Sequence, residues 1–372
     1  MYSLRPVGHG VKQAHRQAHR LRRGFATKPG VDNDDVNQAR HYCLNQLKHG
    51  DYDAYLIRHF VPSLGRDAYD ALRTLNLELA RLPETVSNPS IGRFRMQFWR
   101  DTVNKVFSGT PPREPISILL HHAIQNLTAR AGPSSAKSIK FWLLRLINTR
   151  ERHMENRPFP TLAALEDYAE NTYATLMYMT LASMPLQSVH MDHLASHIGK
   201  ACGIVATLRG IPILAAPSQP IHGPSGQGVG STRSPALLLP LDVMAETGLK
   251  EEDVFRYGPN AEGLQDAVFQ VATRANDHLI TAREMLKNLQ AGKGPGHDYE
   301  HQGEPEHAHG TSLDTSENTV SDIRRGFGIL LEAIAAGDYL NRLESANFDP
   351  FRVRSSWKLP WSLWRAERRR VI

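Results

Sequence analysis

The chain has 372 residues, of which 41% are apolar and 22% are charged, proportions that are ordinary for a globular protein. Its two cysteines, Cys43 and Cys202, are too few for a disulfide-stapled secreted scaffold and too far apart in sequence to indicate a zinc site. No stretch approaches the roughly 18 to 20 apolar residues that cross a bilayer. Composition therefore argues against an integral membrane protein, a collagen, a coiled coil and a zinc finger.

The net charge of +6 is concentrated at the two ends of the chain. Residues 1–30 carry a charge of +7, residues 351–372 carry +6, and the residues between them carry −7. A nucleic-acid-binding domain clusters basic charge on its folded body. Here that body is mildly acidic, so we expect no nucleic-acid partner. RNA binding by the basic ends alone is the alternative.

The first 30 residues are rich in arginine, contain no acid and space several arginines at helical intervals. These features are typical of a mitochondrial transit peptide, whereas a secretory signal would need an apolar core of about seven residues or more. Residues 23–26 read Arg-Gly-Phe-Ala, which resembles the sites that the processing peptidase cuts. We predict a transit peptide over residues 1–30, with cleavage between Phe25 and Ala26. A disordered basic arm is the alternative.

Apolar residues recur at intervals of three and four along most of the remaining chain, which predicts amphipathic helices. Thr161, followed by a regular apolar pattern, is typical of a helix N-cap. Pro185 should end that helix, and Gly210 with Pro212 should end the next one. The predicted helices cover residues 34–49, 53–61, 65–82, 90–108, 115–131, 135–155, 162–184, 188–208, 261–289 and 322–336.

Two stretches break this helical pattern. Residues 215–234 are rich in Gly, Pro and Ser and are expected to form a loop, and residues 291–319 are polar and rich in Gly, His and Glu. We expect residues 291–319 to be a disordered insertion, because long segments of this kind in compact domains are often disordered. About ten helices without a convincing strand predict an all-α, single-domain protein over residues 31–351. A basic, aromatic C-terminal tail follows over residues 352–372.

The insertion holds four histidines, His297, His301, His307 and His309, which are metal ligands by type. A metal site needs ligands that are held in a defined geometry. Low complexity is therefore the favoured interpretation of these histidines, and no metal is predicted.

Glu166 and Glu170 are four residues apart, so their carboxylates share one helix face, where such a pair can hold Mg²⁺. They also fall in the first turns after Thr161, where acids stabilise the positive end of the helix dipole. The second interpretation is favoured. The glycine cluster at residues 226–230 follows no predicted strand, so it is interpreted as a loop rather than a dinucleotide site.

Several stretches, in order along the chain, resemble the squalene/phytoene synthase family of head-to-head prenyl transferases. They are residues 71–80, 95–100, 106–109, 165–184, 198–209, 238–241 and 339–351. Together they span about residues 36–351. The resemblance implies the all-α bundle of the isoprenoid synthases, which agrees with the helices that periodicity alone predicts.

Active members of this family carry two aspartate-rich motifs on facing helices, which bind the Mg²⁺ ions that hold the substrate diphosphate. The resemblance places six residues at the motif positions, and Glu84 is the one carboxylate among them. They are Ala80, Arg81 and Glu84 in the first motif and Arg209, Gly210 and Leu214 in the second. Mg²⁺ needs carboxylate and phosphate oxygens in octahedral geometry. We therefore expect no catalytic residue, no bound metal and no cofactor.

Residues 76–80, 91–99 and 203–209 are similar to a non-catalytic branch of this family in particular. That resemblance implies a degenerate prenyl-synthase fold in the mitochondrial matrix, peripherally associated with the inner membrane, that supports assembly of respiratory complex I. The expected partners are complex I subunits or other assembly factors, and the vestigial pocket leaves room for a small lipid. The alternative is an active mitochondrial prenyl transferase that uses Glu78 and Glu84.

The C-terminal tail combines tryptophans, which favour membrane interfaces, with arginines, which favour anionic headgroups. The residues concerned are Trp357, Trp361, Trp364, Arg368, Arg369 and Arg370. This pattern predicts a segment that lies on a membrane surface. A polar tail in solvent is an equal alternative.

Overall fold

A computed structural model describes residues 31–86, 88–186, 188–216, 234–301, 304, 307 and 316–372. Helices dominate this part of the chain and no strand occurs in it, which confirms the predicted all-α class. None of these helices combines the length and apolar character that crossing a bilayer requires. The helices are α1 (Asn33–Gly50), α2 (Tyr52–Ile57), α3 (Ser63–Thr85), α4 (Pro89–Phe107), α5 (Pro115–Ala131), α6 (Lys137–Arg152), α7 (Leu162–Ala169), α8 (Thr175–Ser183), α9 (Val189–Leu214), α10 (Leu241–Glu246), α11 (Glu251–Tyr257), α12 (Leu264–Gln290), α13 (Ser316–Leu330), α14 (Glu332–Ser345) and α15 (Leu359–Arg369).

Some predictions concern residues outside the described ranges. They are the transit peptide with its cleavage site at Phe25 and Ala26, the glycine cluster at residues 226–230, and His309. These stay predictions.

Side-chain caps fix the start of several helices. Asp32 forms a capping box with Asp35: its Oδ1 accepts from Asp35 N at 2.8 Å, and its own N–H donates to Asp35 Oδ2 at 3.2 Å. Thr161 caps α7 as predicted, because its hydroxyl accepts from Ala164 N at 3.2 Å. Glu114 caps α5, whose bounds coincide with the prediction.

The centre of the bundle is α9, which is apolar around most of its circumference and packs against α7, α8, α12 and α14. Two glycines let a neighbouring segment approach it closely. A Cβ at Gly199 would lie 2.3 Å from the Cα of Ala174, and one at Gly203 would lie 2.4 Å from the Cβ of Ala169. Ala169 ends α7, and Ala174 belongs to Glu170–Ala174, a π-helical segment between α7 and α8. The helix that was expected to be continuous here therefore contains a π insertion.

Two prolines do not end their helices, contrary to the sequence-based expectation. Helix α9 continues past Gly210 and Pro212 to Leu214, and α3 continues past Pro83 to Thr85. Each proline lies in the last turn of its helix, so its missing N–H removes only one hydrogen bond, at the end of the helix. The packed turns before it hold the helix in place.

The C-terminal third contains more helices than predicted. The helix predicted over residues 322–336 is two helices, α13 and α14, which meet at Leu331. Helices α10, α11 and α15 were not predicted. At 6 and 7 residues, α10 and α11 are too short to show clear apolar periodicity in the sequence. Helix α15, with 11 residues, does place Leu359, Leu363 and Ala366 at helical spacing, but its segment was interpreted as a tail.

The predicted disordered insertion is wrong for its described part. Residues 291–301, here called the strap, fold back onto the bundle after α12, and His307 beyond the strap is buried. The side chain of Tyr299 is also buried, and its hydroxyl donates to the Tyr178 hydroxyl at 2.9 Å. Burial of an aromatic ring offsets the entropy lost in ordering a polar segment. Composition alone does not reveal this compensation.

Candidate functional site

A cavity of about 210 Å³ opens between α1, α3, α9 and α14. The two motifs assigned from the family resemblance both contribute to it, through Ala80 on α3 and Arg209 on α9. The rest of its polar character comes from charged side chains on four helices and their connections. The charged lining residues are Asp51, Asp53, Arg73, Arg209 and Glu332.

Arg73 is the centre of a buried ion-pair network on one side of the cavity. Its Nη2 lies 2.8 Å from Asp51 Oδ2, and its Nη1 lies 3.3 Å from Glu332 Oε1. The Tyr69 hydroxyl donates to the same Glu332 oxygen at 2.9 Å. Burial acts against the charged guanidinium, but the two carboxylates outweigh it and raise the pKa of Arg73. Burial also raises the pKa of Glu332, although Arg73 opposes that shift.

Arg209 forms a second ion pair across the cavity. Its Nη1 lies 2.5 Å from Asp53 Oδ2, and its Nη2 donates to the carbonyl oxygen of Ala335 at 3.2 Å. Its guanidinium also lies over the ring of Tyr339, 4.8 Å from the centroid. Burial opposes the charged form, but Asp53 keeps the pKa of Arg209 raised. An internal acid therefore holds the arginine that the family resemblance singled out.

The other motif positions lie at the rim of the cavity or beyond it. Arg81 is half-buried beside Gly50, where a Cβ on the glycine would meet Arg81 Nη2 at 2.5 Å. Glu84 is exposed near the end of α3, and Gly210 and Leu214 are half-buried in the last turns of α9. The structure thus brings one predicted position from each motif into the cavity lining.

Sequence reasoning missed four of the five charged lining residues. Asp51 and Asp53 look like helix-capping acids, and Asp51 does cap α2 by accepting from Ala54 N at 3.2 Å. Arg73 and Glu332 lie in apolar stretches, where a charged side chain that is buried needs a partner. That conflict between charge and apolar surroundings is the signal that the sequence offers for an internal ion pair.

The charged lining does not fit a magnesium–diphosphate site. Mg²⁺ takes oxygen ligands in near-octahedral geometry and keeps several of its waters. Here Asp51 and Glu332 already pair with Arg73, and Asp53 pairs with Arg209. A cation between these carboxylates would have to displace a guanidinium. The pairs instead tie α2, α3, α9 and α14 together.

The C-terminal helix α15 is a second candidate site, because its two faces differ. Its inner face packs on the bundle and consists of Leu359, Leu363 and Ala366. Its outer face follows helical spacing and consists of Trp361, Trp364, Arg365 and Arg368. The side chains of Trp361 and Trp364 are 64% and 46% exposed, and Trp357, just before the helix, is 78% exposed. We call this set, with Trp357, the tryptophan face.

The expected tail is a folded part of the bundle. Arg370 lies against the bundle, with its guanidinium 4.9 Å from the centroid of the Phe327 ring and 2.8 Å from Glu367 Oε1. Ile372 is buried, and its carbonyl oxygen accepts from Arg283 Nε at 3.1 Å. Arg370 is therefore separated from the outward tryptophans with which the sequence grouped it.

The bundle has the fold of an isoprenoid synthase. A dehydrosqualene synthase in complex with a ligand is 11% identical, with a TM-score of 0.59 over 91% of this chain and 98% of that one. Squalene synthase HpnC from Alicyclobacillus acidocaldarius is 12% identical, with a TM-score of 0.56 over 86% of this chain and 98% of that one. At these identities the likeness establishes the fold alone.

The family model for squalene/phytoene synthase matches residues 47–365. The chain belongs to this family, which confirms the resemblance seen in its sequence.

Its relatives include NADH dehydrogenase (ubiquinone) complex I, assembly factor 6, of Bos taurus, which is 32% identical over 328 residues, or 87% of this chain and 80% of that protein. The Homo sapiens protein of the same name is 35% identical over 266 residues, or 71% of this chain and 70% of that protein. A homolog in Drosophila melanogaster is 28% identical over 330 residues, or 86% of this chain and 80% of that protein. The expected similarity to a complex I branch of the family is confirmed.

Proposed function

We propose that this chain is a non-catalytic assembly factor for respiratory complex I, acting in the mitochondrial matrix. The observation that carries this proposal is the chain-long similarity to complex I assembly factor 6, which covers 87% of this chain at 32% identity in the Bos taurus protein. Similarity over that length includes most of the bundle. Its partners would be complex I subunits or other assembly factors.

The cavity supports the absence of prenyl-transferase chemistry. Prenyl transfer in this family would need cations that hold a diphosphate, and the carboxylates at this site are already neutralised by Arg73 and Arg209. The cavity volume of about 210 Å³ also lies below the ~300–1,000 Å³ of usual small-molecule pockets. A charged cavity of this size suits neither a long prenyl chain nor another small lipid, so we favour a protein partner.

The tryptophan face supports peripheral contact with the inner membrane. Indole rings favour the headgroup region, and arginines next to them favour anionic lipids. Because the opposite side of α15 is buried against the bundle, this face points away from the protein. The helix would lie in the plane of the membrane surface without crossing it.

Mitochondrial import would depend on the predicted transit peptide. Removal of residues 1–25 takes away one lysine and five arginines and brings the net charge from +6 to 0. The N-terminal sequence of the mature protein from isolated mitochondria tests this step. A start at Ala26 is expected, and an uncut N-terminus in the matrix would contradict it.

Deletion of the gene for this chain tests the main proposal, with complex I activity and native-gel assembly measured in isolated mitochondria. Selective loss of complex I, with the other respiratory complexes intact, is the expected result. Normal complex I would overturn the proposal.

Rescue of the deletion separates assembly from catalysis. The double variant Arg81→Ala, Glu84→Ala, altered outside the ion-pair networks, should restore complex I as well as the wild type does. The purified wild-type chain, incubated with Mg²⁺ and farnesyl diphosphate, should release no pyrophosphate. Pyrophosphate release that the double variant abolishes would favour the prenyl-transferase alternative.

A further inference from the structure

A cluster of histidines joins the strap to the N-terminal half of α9. His193 and His197 are four residues apart on α9, so their rings lie on one face of the helix, one turn apart. The strap brings His297 to them, and its Nε2 lies 2.9 Å from Nε2 of His193 and 2.9 Å from Nε2 of His197. One ring nitrogen from each of the three histidines falls within 4.8 Å of the other two.

The protons available to neutral imidazoles cannot satisfy this convergence. A neutral ring carries one N–H and one lone pair. The Nε2 of His297 carries either one proton or one lone pair, so it can form one good hydrogen bond, yet it faces two other nitrogens at hydrogen-bond distance. The Nδ1 of His193 is buried and has no hydrogen-bond partner among the described residues. The cluster therefore directs more nitrogen lone pairs to one point than hydrogen bonds can use.

A second layer of contacts orients His197. The carboxylate of Glu166 accepts from His278 Nε2 at 2.6 Å, and His278 Nδ1 lies 3.1 Å from His197 Nδ1. Burial opposes ionisation of Glu166, but hydrogen bonds from His278 and Arg274 lower its pKa. The tautomer that suits both contacts has His278 Nε2 donating to Glu166 and His278 Nδ1 accepting from His197 Nδ1–H. The Nε2 of His197 is then left with its lone pair facing the cluster.

We propose that His193, His197 and His297 form a binding site for a zinc-type divalent cation. Imidazole nitrogens suit Zn²⁺ and its neighbours in the first transition row, whereas Mg²⁺ and Ca²⁺ prefer oxygen. Tetrahedral Zn–N bonds of about 2.0–2.1 Å place neighbouring nitrogens about 3.3 Å apart, so the rings would open by a few tenths of an ångström. In such sites a carboxylate commonly orients a ligating histidine by hydrogen bonding on the side away from the metal. Glu166 acts in this way on His197, through His278.

The fourth coordination position would face a small cavity of about 40 Å³ that the three histidines help to line. Asp298 and Glu300 line it too, and Glu300 pairs with Lys200 at 3.1 Å. A water or one of these carboxylates would complete the coordination. The site is separate from the charged cavity, because the two share no lining residue. Arg209, the arginine of that cavity, lies twelve residues beyond His197, or about 18 Å along α9.

The cation would hold the strap on the bundle. Two ligands belong to α9 and the third to the strap, so the metal would bridge them. The neighbouring Tyr299 stacks on His193, with ring centroids 4.8 Å apart, and reaches Tyr178 through its hydroxyl. Release of the metal would loosen this attachment without changing the core of the bundle.

The first test is zinc binding by the purified full chain after metal removal. Titration with Zn²⁺ should give one site per chain, and Co²⁺ should give the visible absorption of a tetrahedral centre. His297→Ala changes an exposed residue of the strap, so it should fold normally and weaken Zn²⁺ binding at least tenfold. His190→Ala on the same helix is the matched control and should bind Zn²⁺ like the wild type. Equal binding by both variants, or no stoichiometric binding by the wild type, would overturn the proposal.

The second test asks whether the metal holds the strap. Lys293 is an exposed trypsin site within the strap. If opening of the strap releases the cation, Zn²⁺ at 100 times its dissociation constant should slow cleavage after Lys293 about a hundredfold in the wild type and in His190→Ala. Cleavage in His297→Ala should not change. A rate that is independent of Zn²⁺ in the wild type would contradict a bridging site.

Discussion

The guanidinium of Arg73 and the carboxylate of Glu332 lie 3.3 Å apart, and less than a tenth of either side chain is exposed. The two residues are far apart in sequence, on α3 and α14, and the fold brings them together. Their ion pair lies in the cavity that Ala80 and Arg209 also line, the two positions to which the family resemblance pointed. Burial of two charges is costly unless both are paired and hydrogen-bonded. Because Arg73 and Glu332 neutralise each other here, their contact gives the cavity a structural role: it holds α3 and α14 together.

Loss of Arg73 should therefore destabilise the protein strongly. Arg73→Met leaves Asp51 and Glu332 without their shared cation, and removal of one partner from a buried pair costs about 3–5 kcal/mol. Arg95→Met, at an exposed position on α4, should change the free energy of unfolding by no more than about 0.5 kcal/mol. Urea unfolding of both variants measures the difference. Similar stabilities would show that the pair contributes little.

The pKa of Glu332 gives a pH dependence with a definite sign. Burial raises it above the usual 4.5, so the folded state holds this proton more tightly than the unfolded state does. The contribution of Glu332 to the free energy of unfolding is therefore fully present below pH 4.5, and it is lost as pH rises through the raised pKa of the folded state. The free energy of unfolding of the wild type, relative to Glu332→Gln, should fall as pH rises from 4.5. A difference that does not change with pH would contradict this.

Asp67 provides a control, because its contribution to stability should change with pH in the opposite direction. Burial opposes its ionisation, but hydrogen bonds from Arg40 Nε and Nη2, at 2.9 and 2.8 Å, lower its pKa below 3.8. Its contribution is present above pH 3.8 and is lost as pH falls through the lowered value. Relative to Asp67→Asn, the wild type should therefore lose stability on acidification.

Much of the fold could be predicted because apolar spacing and caps are local properties. The bounds of α5 and the cap at Thr161 follow from residues within one or two turns. The continuation of α9 past Pro212 could not be predicted, because it depends on packing against helices that are distant in sequence. The π segment is missed for the same reason, since it lies opposite Gly199 and Gly203.

The candidate site was only partly predictable. The family resemblance pointed to Ala80 and Arg209, and both line the cavity. The partners of the buried arginines were not found, because Asp51 and Asp53 have the pattern of ordinary capping acids. The histidine cluster was also missed: low complexity hid the one strap histidine, His297, that meets α9. Pairing across such long distances in sequence leaves no periodic signal.

Close packing at the centre of the bundle predicts a sharp difference between two glycines of α9. A Cβ at Gly199 would lie 2.3 Å from the Cα of Ala174, and backbone cannot move aside cheaply. Gly199→Ala should cost about 1–3 kcal/mol or more. At Gly210 the nearest atom would be the Cδ1 of Leu214 at 3.4 Å, so Gly210→Ala should be neutral or stabilise by about 0.5–1 kcal/mol. Thermal unfolding measures both, and equal effects would contradict the packing described.

Cys43 should be unreactive in the folded protein. Its side chain is fully buried, and burial raises the pKa of its thiol to about 12. At pH 8 this pKa lowers the thiolate fraction about a thousandfold relative to a thiol of pKa 9.0. Iodoacetamide labelling followed by peptide mass spectrometry should find Cys43 unmodified in buffer and fully modified in urea. Rapid labelling in buffer would show that α1 opens readily.

The tryptophan face predicts binding to anionic membranes that can be separated from general basic charge. Arg365 and Arg368 lie on the outer side of α15, and each arginine near an anionic surface contributes about 1 kcal/mol. Arg365→Gln, Arg368→Gln should therefore weaken binding to phosphatidylserine-containing vesicles about thirtyfold. The matched control, Arg93→Gln, Arg95→Gln, removes the same charge from exposed positions on α4. If co-sedimentation weakens equally in both double variants, net charge governs binding, and α15 has no special role at the membrane.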